Sequence, residues 1–135
     1  MSSSENAMSL SLIAGAALAE NAFGRVLQMG AADNTVILAT AATQTPVGIV
    51  GAAPVAAGEA FPVVPLNGAI GKVRSGGTIT RGQLLIAAAD GEVTGVANQA
   101  ALAADVTAVG VALEGGVDGQ IIRALLMPLT SSTET

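Results

Sequence analysis

The chain has 135 residues, a formal net charge of −5 and an apolar fraction of 51%, with two phenylalanines and no histidine, cysteine, tyrosine or tryptophan. That composition excludes disulfides and thiolate metal sites, removes the commonest general base and the strongest nucleophile, and leaves neither clustered cations nor flat rings for a nucleic acid. The length suits one domain, but an alanine-rich interior buries little area per strand at about 25 cal/mol per Å², so further burial against copies of the chain is expected.

Residues 1–16 open with a polar, Ser-rich stretch and are expected to form a flexible N-terminal arm. Within it Ser9-Leu10-Ser11-Leu12 alternates polar and apolar, the period of a strand with one covered face. The apolar run Met8–Ala19 imitates a secretory leader, but Glu5 precedes it with no Lys or Arg, the wrong charge for that role. Residues 17–128 read as a single β domain and 129–135 as a polar tail. Strands are predicted at Arg25–Met29 and Thr35–Ala39, joined by a short turn over Gly30–Asn34. Pro46 starts a new strand, Val47–Val50. The uncharged stretch Asn34–Gly58 approaches the length of a membrane span, but Pro46, Pro54 and its threonines argue against one.

Ala60–Val64 is the next strand, and Pro65 at its end suggests a sheet edge. Asn67-Gly68 turns the chain into Ala69–Arg74. Gln83–Ala87 and Glu92–Thr94 flank a hairpin with Asp90-Gly91 at its tip. Asn98–Ala104 is the one segment with helical composition. The longest strands, Val106–Leu113 and Gln120–Met127, are apolar on both faces, so each face should be covered by sheet or by another subunit. Strands at this spacing, separated by turn signals, mark a small β-barrel or sandwich.

A repeat runs through these elements. Gly24-Arg25-Val26-Leu27, Gly58-Glu59-Ala60-Phe61, Gly82-Gln83-Leu84-Leu85 and Gly119-Gln120-Ile121-Ile122 share the pattern glycine, polar, apolar, apolar. A valine-glycine step follows the first and third, at Val47-Gly48 and Val109-Gly110. The ordering makes the chain two diverged copies of one β unit. Glycine suits such turns because it enters positive φ without steric cost.

No reaction centre emerges. Asp90 and Glu92 are too few oxygen donors for a calcium loop and read as a solvated hairpin tip. Asp118 and Asp33-Asn34 read the same way, and no glycine loop has the setting of a nucleotide site. No catalytic, cofactor-binding or metal-ligating residue is assigned. Lys72 and Arg74 lie two apart on a strand and leave one face, either as partner-facing charges or as a solvated pair.

From Ala17 to Met127 the chain resembles the small decoration (cement) proteins of tailed-phage capsids. The resemblance rests on Leu18-Ala19 with Gly24-Arg25-Val26, Pro46-Val47-Gly48-Ile49-Val50 and Gly58-Glu59-Ala60-Phe61-Pro62-Val63. It continues through Gly77-Thr78-Ile79-Thr80, Gly82-Gln83-Leu84, Asp90-Gly91-Glu92-Val93, Val109–Glu114 and Gly119–Leu126. It implies a non-enzymatic, all-β protein, made in the host cytoplasm, that binds the outer surface of the mature head as a homotrimer. The major capsid protein would be its partner, with no nucleic acid, membrane or cofactor. It also gives Ser9, Leu10, Ser11, Leu12 and Ile13 a capsid-binding role by strand addition, although the same residues could complete the chain's own sheet. The competing reading is a non-enzymatic β binding module of a tail, surface-layer or carbohydrate-binding protein; the missing Trp and Tyr speak against sugars.

Overall fold

The computed structural model describes residues 10–131. Ten strands follow in order: β1 (Leu10–Ala14), β2 (Val26–Met29), β3 (Thr35–Leu38), β4 (Gly48–Val50) and β5 (Ala60–Pro65), then β6 (Ile70–Arg74), β7 (Leu84–Ala87), β8 (Val93–Val96), β9 (Ala108–Ala112) and β10 (Ile121–Leu129). The first five close into a barrel in the order β1-β3-β2-β4-β5, with β5 pairing back onto β1. The second five form a sheet in the order β6-β10-β9-β7-β8. Followed from β1 through β5, the barrel runs β1-β5-β4-β2-β3, which is the second order shifted by five. The two halves therefore have one topology. Even the parallel contact recurs, as Ala14 with Val36 in the first unit and as the bridge Ser75 with Val93 in the second.

The repeated word has a common local structure. Gly24, Gly58, Gly82 and Gly119 have φ of +84°, +87°, +93° and +84°. Each closes a four-residue turn, with Arg25 N bonded to Ala22 O, Glu59 N to Ala56 O, Gln83 N to Thr80 O and Gln120 N to Val117 O, all at 3.0–3.1 Å. Phe23, at φ −54° and ψ 132°, gives the first of these type II geometry. The polar residue also has a task that spacing alone did not reveal. The side chain of Glu59 accepts from Ala56 N at 2.9 Å, Gln83 from Thr80 N at 2.8 Å, and Gln120 from Val117 N at 3.0 Å. In each, one carboxylate or amide oxygen satisfies the first N–H of its own turn. Arg25 breaks the pattern, having no acceptor to offer; its Nε donates to Asn21 O at 2.9 Å.

The glycines of the valine-glycine steps answer to a different constraint. A Cβ on Gly48 would lie 2.6 Å from Val64 O and 2.7 Å from Val63 Cγ1, and one on Gly110 would collide with Leu125 O. Here β4 and β9 run so close to β5 and β10 that only glycine fits.

Burial follows the duplication. Leu18, Leu27, Val50, Phe61 and Val63 fill the first barrel, while Ile79, Leu85, Ala112, Ile122 and Ala124 occupy the matching places in the second. The second core is not self-contained, because it takes in Val26, Ala39 and Ile49 from the first unit, with Val64 packed against it. This shared core makes the two units one folding body.

Several expectations change. Leu10–Ala14 is not an arm: it pairs with β5 from Leu10↔Val63 to Ile13↔Ala60 and with β3 at Ile13↔Thr35, so the strand completes the chain's own barrel. Residues 1–9 of the expected arm, Ser9 included, lie outside the described residues, as do residues 132–135. Pro65 does not mark an edge strand, since β5 is paired on both sides, to β4 and β1. The expected helix at Asn98–Ala104 is a single 3-10 turn, Gln99–Ala101, capped by the Asn98 side chain accepting from Ala101 N at 3.0 Å. A second such turn spans Glu20–Ala22. The outer face of β7 and β9 is covered by the chain itself, where Leu102 and Val106 from the β8–β9 connection pack on Leu84 and Ala108. No subunit is needed to explain the apolar outer face of β9.

Candidate functional site

Among the described residues no group of three or more His, Cys, Asp or Glu is placed to hold a metal. Asp90 and Glu92 do not form a free acidic tip. The Asp90 carbonyl accepts from Arg25 Nη1 at 3.0 Å, and the Glu92 carboxylate lies 3.7 Å from Arg25 Nη2. The built feature of this molecule is instead the junction between its units.

In the second unit β6 and β8 meet only at the Ser75–Val93 bridge, which leaves a seam below it. The first unit fills that seam with its Gly24 turn. Arg74 N donates to Gly24 O at 2.9 Å, and Val26 N donates to Gly91 O at 2.7 Å. Both lips of the seam are thus bonded to the main chain of the inserted segment. Arg74 tightens the junction: its Nε donates to Phe23 O and its Nη1 to Gly119 O, each at 3.2 Å. Arg25, beside the inserted glycine, spans to Asp90 and Glu92 with a side chain that is only 12% exposed. At that burial its charged contacts are screened less than a surface pair's.

The two charges assigned to a partner therefore separate. Lys72 is exposed on the outer face of β6, whereas Arg74 is half-buried and engaged by two carbonyls of its own chain. The cation beside Lys72 is Arg123, its cross-strand neighbour on β10, also exposed and 3.9 Å from Glu114. Arg123 went unassigned because only strand register brings the two together. Ile70, 59% exposed, adds an apolar surface to the same strand, opposite Leu125. Of the residues given a capsid-binding role, Leu10 is 46% exposed at the start of β1, Ser11 is exposed, and Leu12 and Ile13 are half-buried in the barrel wall. Ser75 is fully buried, with its hydroxyl donating toward the carbonyls of Val117 and Gln120; it replaces Ala14 of the first unit and pins the last glycine turn.

The first unit has the corresponding seam, between β1 and β3, and closes it with its own main chain through Ile13 N to Asn34 O at 2.9 Å. Over this closed seam lies an open apolar cleft of about 430 Å³, lined by Ile13, Gly15, Ala31, Ala32, Thr35 and Gly58 among others.

No protein-family model and no curated protein matches the chain. Among solved structures, the chain is similar to the N base of the head fiber gp8.5 of bacteriophage phi29. That likeness has a TM-score of 0.62 and covers 88% of this chain and 92% of that chain at 20% sequence identity. The all-β fold that the resemblance to capsid decoration proteins implies is therefore the fold of this chain, and it is shared with a protein of a phage head.

Proposed function

We propose that this chain is a structural protein of a tailed phage that attaches to the outer surface of the mature head. It does so as a homotrimer on the major capsid protein and stabilises the shell. The observation that carries this reading is the likeness to a head fiber base across nearly the whole of both chains. The molecule suits such a role physically. Its two units share one core, and bonds between main chains join them. Self-association would cover large apolar side chains that the single chain leaves on its surface, Ile70 and Val117 at 59% and Met29 at 51% exposed. A trimer matches the local threefold symmetry of an icosahedral lattice. Lys72 and Arg123, with Ile70 two residues along β6 from Lys72, are the charges proposed to meet a partner. Strand addition by Leu10–Ile13 is withdrawn, because those residues already pair within the barrel.

The test is sedimentation of purified protein with heads of the virus whose genome encodes it, before and after shell expansion. The protein is expected to travel with expanded heads and to raise the temperature at which they release DNA. Protein that stays in the supernatant with both kinds of head would overturn the reading.

A further inference from the structure

We infer that the cleft over the β1–β3 seam receives the Thr80–Gln83 turn of a second copy, so that the chain associates head to tail. The inference rests on the proposed self-association and names the surfaces that carry it. The argument is internal precedent. In the second unit the seam between β6 and β8 is filled by the turn Ala22–Arg25 of the preceding unit, bonded through Gly24 O and Val26 N. The turn at the same place in the second unit is Thr80–Gln83. It has the same closing bond, 3.1 Å against 3.0 Å, and the same anchor, with Gly82 N on Ala112 O where Gly24 N is on Val50 O. Nothing of its own chain lies within 4 Å of where a Gly82 Cβ would stand, so the outside of this turn is free to enter a neighbour.

The receiving site corresponds piece by piece. Ile13 stands for Arg74, Gly15 for Gly76, the hairpin residues Asp33–Thr35 for Asp90–Glu92, and Gly58 for Gly119. The chemistry changes in step. Where the inserted turn carries Arg25, its seam offers Glu92; where the free turn carries neutral Gln83, the cleft offers the neutral Thr35 at the place of Glu92, beside Ala31 and Ala32. The free turn also bears the exposed Arg81, and the rim of the cleft bears the exposed Asp33, an opposite pair. Because Ile13 N already holds Asn34 O, the incoming turn docks over the first seam rather than through it. A contact that joins two different surfaces closes into a ring when the rotation allows, and three copies make the smallest ring that also fits a threefold site.

The chain's lack of cysteine makes the contact directly testable. Ala32→Cys and Arg81→Cys, introduced in separate full-length preparations, are mixed and oxidised. The 32–81 disulfide is expected to form at least tenfold faster than that of a control mixture of Ala32→Cys with Lys72→Cys. In parallel, Ala32→Arg, which fills the cleft and sets a like charge against Arg81, is expected to weaken self-association at least tenfold in sedimentation velocity, toward the 13.1 kDa protomer, without lowering the melting temperature at dilutions where only protomer remains. Crosslinking no faster than the control, or wild-type protein that sediments as a protomer throughout, would overturn the inference. Head binding by an oligomer that survives Ala32→Arg overturns this contact alone. Efficient 32–81 linkage in protein that ignores heads overturns the proposed function alone.

Discussion

Replacing Gly110 with valine is expected to cost about 3 kcal/mol or more, the upper end for overpacking a core, because the added carbon meets the backbone of a paired strand rather than a movable side chain. A Cβ at this position collides with Leu125 O, and β9 cannot retreat without losing its pairing to β10 at Val111↔Leu125 and Gly110↔Leu126. Gly48 is bound in the same way by Val64 O at 2.6 Å. The turn glycines should behave differently. Gly58, Gly82 and Gly119 have no atom within 4 Å of a built Cβ, so alanine there carries only the left-handed backbone penalty of about 1–2 kcal/mol. Gly24 falls between, since its φ is +84° and its Cβ would also lie 3.0 Å from Arg74 N. Thermal melting of the single variants should therefore rank Gly110→Val and Gly48→Val worst, then Gly24→Ala, then the three open turns. A Gly110→Val protein that melts like wild type would show that β9 and β10 are not this close.

Burying a charge at Val26 is expected to be comparably damaging. Val26 points away from the interior of its own barrel, where its neighbour Leu27 packs, yet it is 0% exposed because it lies in the core of the second unit. Val26→Asp would place a carboxylate in that core with no cation built to meet it. Removing the partner from a buried ion typically costs about 3–5 kcal/mol, a large share of the roughly 5–15 kcal/mol that holds a domain folded. Urea titration should show both units destabilised in a single transition. The corresponding Leu84→Asp should cost less, because Leu84 keeps 6% exposure beneath Leu102 and Val106, whereas Val26 has none. Equal effects at the two positions would mean that the units do not share a core.

Much of this architecture was legible in the sequence. Nine of the ten strands overlap the segments where alternation and turn residues put them, β1 alone lying in the expected arm, and the four repeated words are four turns of one kind. The polar letter of the word carried more information than its polarity: Glu59, Gln83 and Gln120 all offer an oxygen at a length that reaches back three residues, and that recurrence could have been read as a cap. Other features were not legible because they depend on which distant piece lies alongside. Lys72 and Arg74 leave the same face of β6, but only Arg74 sits where two turns present carbonyls. Two-sided apolar strands say that something covers them, not whether it is Leu102 of the same chain or a neighbour. Alternation in Ser9–Ile13 is the same for a strand kept at home and one lent to a partner. The seam between the units has little sequence signal, since apart from the Arg25–Glu92 pair its bonds end on main-chain atoms.

The junction also explains why the duplicated unit is not a simple tandem. The first barrel closes on itself, while the second needs Gly24–Val26 to fill its seam. One surface of the pair is thereby used internally; its counterparts are the first unit's cleft, over a seam that its own main chain closes, and the exposed tip of the Thr80–Gln83 turn, beside which Leu84 is covered by Leu102 and Val106.

Electron cryo-microscopy of expanded heads, reconstructed with and without added protein, tests the central claim most directly. The account expects added density on the outer surface, at threefold or quasi-threefold positions, into which three copies of the paired barrels fit. Heads whose outer surface is unchanged after saturation with the protein, or density confined to the tail or the shell interior, would contradict it.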